Sequence, residues 1–203
     1  MNETSLPAGD RAAGALMIAA ALLSVGAMAH HPSGAGASGD LARFVHGALI
    51  ALAMVLLAGF ARFTARLGWH SFAGMSGFIL YAAGVSGAVM AALVNGFVVP
   101  ALAARGDVPE AIRALCWELN QAFAHASAYA LSGAFVLWGA ALVRHKAGRD
   151  RLLGAVCLAA GLLPGLALAS GAVNLHVAGA LLVYSAHWAA SAAVGAWLLA
   201  RRG

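Results

Sequence analysis

The sequence predicts an all-α, polytopic membrane protein: a single bundle of six transmembrane helices with short loops and both termini cytoplasmic. Three observations carry that reading. Of 203 residues, 63% are hydrophobic and only 9% charged, where a soluble domain carries about 25% charged residues. The mean hydropathy is +0.86. The apolar residues also gather into runs, roughly 12–29, 41–65, 71–100, 112–143, 152–170 and 174–200, close to or above the about 20 residues that a helix needs to cross a bilayer. Unbroken runs of this length do not fit the strands of an outer-membrane barrel, which alternate with period two. The longest loops, 30–40 and 101–111, are too short for a soluble domain, so 1–203 reads as one transmembrane domain.

The first run, 12–29, ends on Ala27-Met28-Ala29, a sequence like that of a signal-peptidase site. Cleavage there would leave His30 as an N-terminal residue able to chelate copper through its amine and ring. A signal peptide wants a basic leader, however. Glu3 and Asp10 stand here against Arg11 alone, so a retained first helix is expected. Pro32, Gly34, Gly36 and Gly39 make the following loop a flexible connection. The second run ends near Arg62 and Arg66, and Pro100 and Pro109 bracket the loop between the third and fourth. A basic turn, 144–151, separates the fourth from the fifth, and Pro164 should kink the fifth. Gly161-x-x-x-Gly165 and Ser191-x-x-x-Gly195 are spaced for close helix packing in lipid.

Basic residues set the orientation. With the N-terminus inside, Arg11, Arg62, Arg66, Arg144, Lys146, Arg149, Arg151, Arg201 and Arg202 are internal, and only Arg43, Arg105 and Arg113 are external. That asymmetry follows the positive-inside rule and predicts a multi-pass protein of the inner (plasma) membrane. It accounts for the net charge of +5 without a nucleic-acid partner. The bilayer is the expected partner, with other membrane subunits or a quinone as further possibilities. Trp69, Trp138 and Trp197 fall near inner helix ends and Trp117 near an outer one, as interfacial aromatics do. Trp188 alone lies well inside its segment.

Six of the eight histidines, His30, His31, His46, His125, His176 and His187, fall on the external side. Three of them, His46, His125 and His187, lie within apolar segments, where an ionisable group is costly and commonly functional. Counting from the inner basic residues (Arg62, Arg144 and Arg201) places the three within about 8 Å of one depth. The fourth segment carries Glu118, Gln121, His125 and Ser132 as a polar stripe, and the sixth carries Tyr184, His187 and Ser191. Phe44-Val45-His46 and Phe123-Ala124-His125 echo one another too briefly to establish a repeat.

Two cofactor chemistries suit this pattern. His46, Glu118, His125 and His187 form a three-nitrogen, one-oxygen ligand set for copper, iron or zinc. Alternatively, His125 and His187 are the axial pair of a haem b, with Arg43 and Arg113 meeting its propionates, and Glu118 and His176 serving a quinone or a proton path. Asn95, Gln121, His176 and Tyr184 would support either site. Each histidine alone is equally well explained by bundle packing, and Glu118 by an interfacial position near Arg113. His30 and His31 read first as solvent-exposed loop residues, with feeding a metal site as the lesser alternative, and His70 and His145 as inner-surface residues. The methionines are scattered without forming a thioether track. Cys116 and Cys157 lie at opposite depths, too far apart for a disulfide. Neither H-E-x-x-H nor G-x-S-x-G occurs. The function classes left are a metal- or haem-binding protein for redox or metal handling, as an electron-transfer component or oxidoreductase; a proton-coupled transporter or channel; and a structural subunit of a larger complex.

Overall fold

A computed structural model describes residues 6–31, 38–145 and 148–200. Among these, every regular element is helical: α1 (Leu6–Ala29), α2 (Gly39–Leu67), α3 (Phe72–Leu93), a π-helical turn (Val94–Val98), α4 (Val99–Ala103), α5 (Glu110–His145), α6 (Gly148–Ala169) and α7 (Val177–Ala200). Six helices are long and apolar enough to cross a membrane, the third running from Phe72 to Ala103 through the π turn. The predicted runs fall short of the observed helices by a few residues at most ends because polar caps and first turns extend them. Ser38 caps α2, its hydroxyl accepting from the Leu41 amide, and Ser71 caps α3 in the same way from Gly74. Gly68, at φ 102°, closes α2 by returning its N–H to Thr64. The helix of α6 continues through Pro164, which is buried within it. The flexible stretch expected at Pro32, Gly34 and Gly36, and the basic residues Lys146, Arg201 and Arg202, lie outside the described residues.

Neighbours around the bundle run α1–α2–α3–α5–α6–α7 and back to α1, with α3/α5, α5/α6 and α1/α7 the most extensive packings. The α1/α7 seam depends on two glycines. A Cβ on Gly14 would stand 2.5 Å from the Gly195 carbonyl oxygen, and one on Gly195 would stand 2.7 Å from that of Gly14. Gly195 of the Ser191-x-x-x-Gly195 pair thus does packing work, and Gly161 does the same against the Ser132 carbonyl of α5. α1 also contributes Met17, Ala20, Ala21 and Ser24 to the buried interior, all at 2% exposure or less. It is a structural member of the bundle.

The arginine-rich half of the bundle is solid. Phe60, Phe63, Phe135 and Trp138 are fully buried there, with Tyr81 at 3% exposure. Phe60 stacks on Trp138 with centroids 4.9 Å apart and planes 2° from parallel. Trp138 is therefore a core residue and not the interfacial anchor its sequence position suggested, because α5 runs on about two further turns to His145. Trp197 is held by its indole N–H donating to Asp150 Oδ1 at 2.7 Å.

One ion cluster ties α1 to α2. Asp10, 2% exposed, accepts from Arg62 Nε at 2.5 Å and from Arg66 Nε at 2.6 Å. Two of the cations counted for topology therefore also have a structural role. The arginines remain about 29% exposed, so the cost of breaking the cluster falls below that of a fully buried pair. Asp10→Asn is expected to destabilise the bundle by about 2 kcal/mol, read as a lower melting temperature in detergent; an unchanged melt would mean the cluster is only electrostatic decoration.

Candidate functional site

The other half of the bundle, the histidine-rich end, is hollow. A cavity of about 340 Å³ lies between α1, α2, α3, α5 and α7. Its walls are mainly alanine, valine and leucine; Tyr81, Leu56, Leu131 and Ser191 line its deep part, against the aromatic core. His31, His46, Asn95, Trp117, Gln121, His176, Tyr184, His187 and Trp188 also line it. The inward position of Trp188, unexplained by interfacial anchoring, is thus a cavity wall position.

Two imidazoles, those of His31 and His46, stand within hydrogen-bond distance of each other. Their Nε2 atoms are 3.2 Å apart, and the rings meet edge to face with centroids 4.9 Å apart. His31 comes off the end of α1, where its amide still bonds the Met28 carbonyl. His46 lies in the second turn of α2 and is 5% exposed. Its Nδ1 donates to the Ala42 carbonyl at 2.8 Å. A carbonyl only accepts, so in the neutral ring the proton sits on Nδ1 and Nε2 carries the lone pair. The proton between the two rings then belongs to His31.

The backbone around His46 is shaped for this. Within the π turn, the Val99 amide reaches back five residues to the Val94 carbonyl. That insertion shifts the helix register, so Asn95 lines the cavity while Gly96 lies flat against the imidazole. A Cβ on Gly96 would overlap His46 Cβ and stand 2.7 Å from its Cγ. Asn120 of α5, 6% exposed, ties down the helix just before the turn by donating to the Ala91 carbonyl at 3.1 Å.

His187 occupies the deeper wall. It is 2% exposed, stacks on Phe135 with centroids 5.6 Å apart, and places Nε2 3.1 Å from Ser132 Oγ. Its Nδ1 is buried with no hydrogen-bond partner among the described residues, a state that costs about 1–3 kcal/mol when nothing fills it. Tyr184 donates its hydroxyl to the Ala124 carbonyl at 3.2 Å. His176 is exposed at the rim, its ring 5.3 Å from that of Trp117.

The ligand set His46, Glu118, His125 and His187 is not brought together. Among the described residues, no three His, Cys, Asp or Glu side chains converge as a metal-binding group. Glu118 is exposed, and His125 is half-buried, off the cavity wall, with Nδ1 donating to the Gln121 carbonyl of its own helix at 2.8 Å. The reason is rotational. The cavity face of α5 runs through Trp117, Asn120, Gln121, Ala124 and Leu131, and at 100° per residue Glu118 and His125 lie about 100° round from it. Of the haem pair His125–His187, His187 lines the cavity and His125 does not. Arg43 and Arg113, assigned to its propionates, bond Asp40 at 2.9 Å and Glu110 at 2.8 Å instead. Of the supporting residues, Asn95, Gln121, His176 and Tyr184 all line the cavity.

Sequence reading gave His31 a metal site only as the lesser alternative to loop, and it missed Asn120. His31 looked like loop because Pro32 and a run of glycines follow it. Asn120 carried a usable signal, an amide within an apolar segment, but it fell between the members of the misphased stripe. No family model matches the chain, and no curated protein or solved structure matches it.

Proposed function

We propose that this chain is a transition-metal-binding membrane protein, with the metal held by His31 and His46 at the mouth of the cavity, for redox or metal-handling chemistry at the outer face of the inner membrane. The observation that carries this reading is the Nε2–Nε2 separation of 3.2 Å. Two imidazoles bound to one ion at 2.0–2.1 Å stand about 2.9 Å apart at the cis angle of tetragonal copper(II) and about 3.3 Å apart at a tetrahedral angle, and the observed separation lies between the two. An ion bound there would take the place of the shared proton. The Ala42 carbonyl supports it as well, since a histidine ligand ordinarily donates its other nitrogen to such a group, which fixes ring and tautomer.

Two protein ligands leave coordination positions open toward the cavity, as a site that exchanges metal or meets a small substrate requires. Imidazole suits copper, zinc, iron and nickel, and copper(II) stands highest in affinity among the divalent ions. Copper is therefore the proposed metal. The external placement rests on the distribution of Lys and Arg along the sequence. Elemental analysis and an optical spectrum of detergent-purified protein, after copper(II) loading and desalting, test the reading. One copper per chain without a Soret band is the expected result. A Soret band, or copper below a tenth of an equivalent, would defeat it.

A further inference from the structure

We infer that the body of the cavity, below the histidine pair, binds a lipid-soluble ring compound bearing carbonyl or hydroxyl oxygens, of the quinone class, through His187. The inference stands apart from metal binding, since His187 belongs to the deep wall and His31 to the mouth.

Size and lining come first. At about 340 Å³ the cavity lies within the range of small-molecule sites. Along α3 its wall runs from Tyr81 to Asn95, about 20 Å at the helical rise. That is long enough for a ring with part of an apolar tail. Water alone is a poor occupant of walls built from residues such as Ala53, Val85 and Ala88.

The polar chemistry selects the ligand class. His187 lines this apolar space, and its buried Nδ1 has no hydrogen-bond partner among the described residues. Its other nitrogen faces the Ser132 hydroxyl, which can either donate or accept. When Ser132 donates, the ring proton sits on Nδ1 and meets a carbonyl oxygen. When Ser132 accepts, Nδ1 presents a lone pair and meets a hydroxyl. One residue pair can thus bind both the carbonyl and the hydroxyl form of a ring without rebuilding the site. A lipid acyl chain would fill the space but leave Nδ1 unsatisfied. Trp188 and Tyr184, with rings 6.0 Å apart, add aromatic surface to the same wall.

The test uses the full chain in phosphatidylcholine nanodiscs, titrated with decylubiquinone and read by tryptophan fluorescence, since Trp188 and Trp117 line the cavity. Saturable quenching is expected, and unchanged after the protein is stripped of metal with a chelator. Ala88→Phe, which fills the cavity from α3, and His187→Phe, which keeps the ring but removes its nitrogens, should each weaken binding at least tenfold. Leu22→Phe, on an exposed face of α1, should bind as the wild type does. Ala53→Phe fills the space from α2 and substitutes for Ala88→Phe if that variant does not fold. A downshifted carbonyl stretch of the bound quinone, lost in His187→Phe, would identify the hydrogen bond. Quenching that rises linearly and equally in all variants would mean partition into lipid and overturn the inference. So would saturable binding that survives both cavity-filling changes.

Discussion

Gly195→Leu is expected to prevent the bundle from assembling. A Cβ at this position meets the Gly14 carbonyl oxygen at 2.7 Å, Ile18 Cγ1 at 3.0 Å and Met17 Cβ at 3.1 Å. The first of these is backbone and the others are anchored close to it, so no rotamer change relieves the overlap. The two helices must separate, and the burial of Met17, Ala20 and Ala21 behind the seam is lost with them. Overpacking costs about 1–3 kcal/mol when side chains can yield, and here the obstacle is main chain, so the upper end or beyond applies. Lipid offers no compensating force, because association within it depends on close packing itself. The expected readout is loss of the monodisperse peak in mild detergent, or a melting temperature lower by ten degrees or more, on the order of 3 kcal/mol at this size. Gly26→Leu is the control, since among the described residues a Cβ there meets nothing within 4 Å. Equal melting of the two variants would remove the α1/α7 seam from the account.

The second large effect concerns the metal. His46→Ala and His31→Ala should each lower copper(II) affinity by roughly a hundredfold or more, because either change leaves a single imidazole and second-sphere changes alone cost 10–100-fold. His125→Ala and Glu118→Gln should leave it within about twofold of wild type. Neither residue lines the cavity. This contrast separates the folded geometry from the ligand set that spacing along the chain suggests. Competition against a chromogenic copper chelator measures all four variants on one scale.

How far the sequence could go is visible in individual residues. Helix positions followed from apolar run length alone, since lipid forces backbone groups to pair within each segment. The grouping was legible in part: His46 and His187 line one cavity. Rotation was the weak coordinate. Glu118, Gln121, His125 and Ser132 share a broad face, but the cavity takes only its Gln121 edge, and the true wall passes through Asn120 and Ala124. The direction a helix face points depends on its neighbours, here on α3 and α6 gripping α5 from two sides. The π turn at Val94–Val98 has no marker in residue type. It became visible only through what it positions, with Asn95 turned to the cavity and Gly96 flat on His46. His31 ranked low in the sequence because its contact with His46 of α2 is made across the end of α1, and no local pattern records that.

The central claim is that two imidazoles, from His31 and His46, hold one metal ion at the cavity mouth. Pulsed electron paramagnetic resonance of the copper(II)-loaded protein counts coordinated imidazoles through the remote nitrogen of each ring. The account predicts two in the wild type and one at most in His46→Ala or His31→Ala. A signal with no imidazole, or a two-imidazole signal that survives both substitutions, would contradict it.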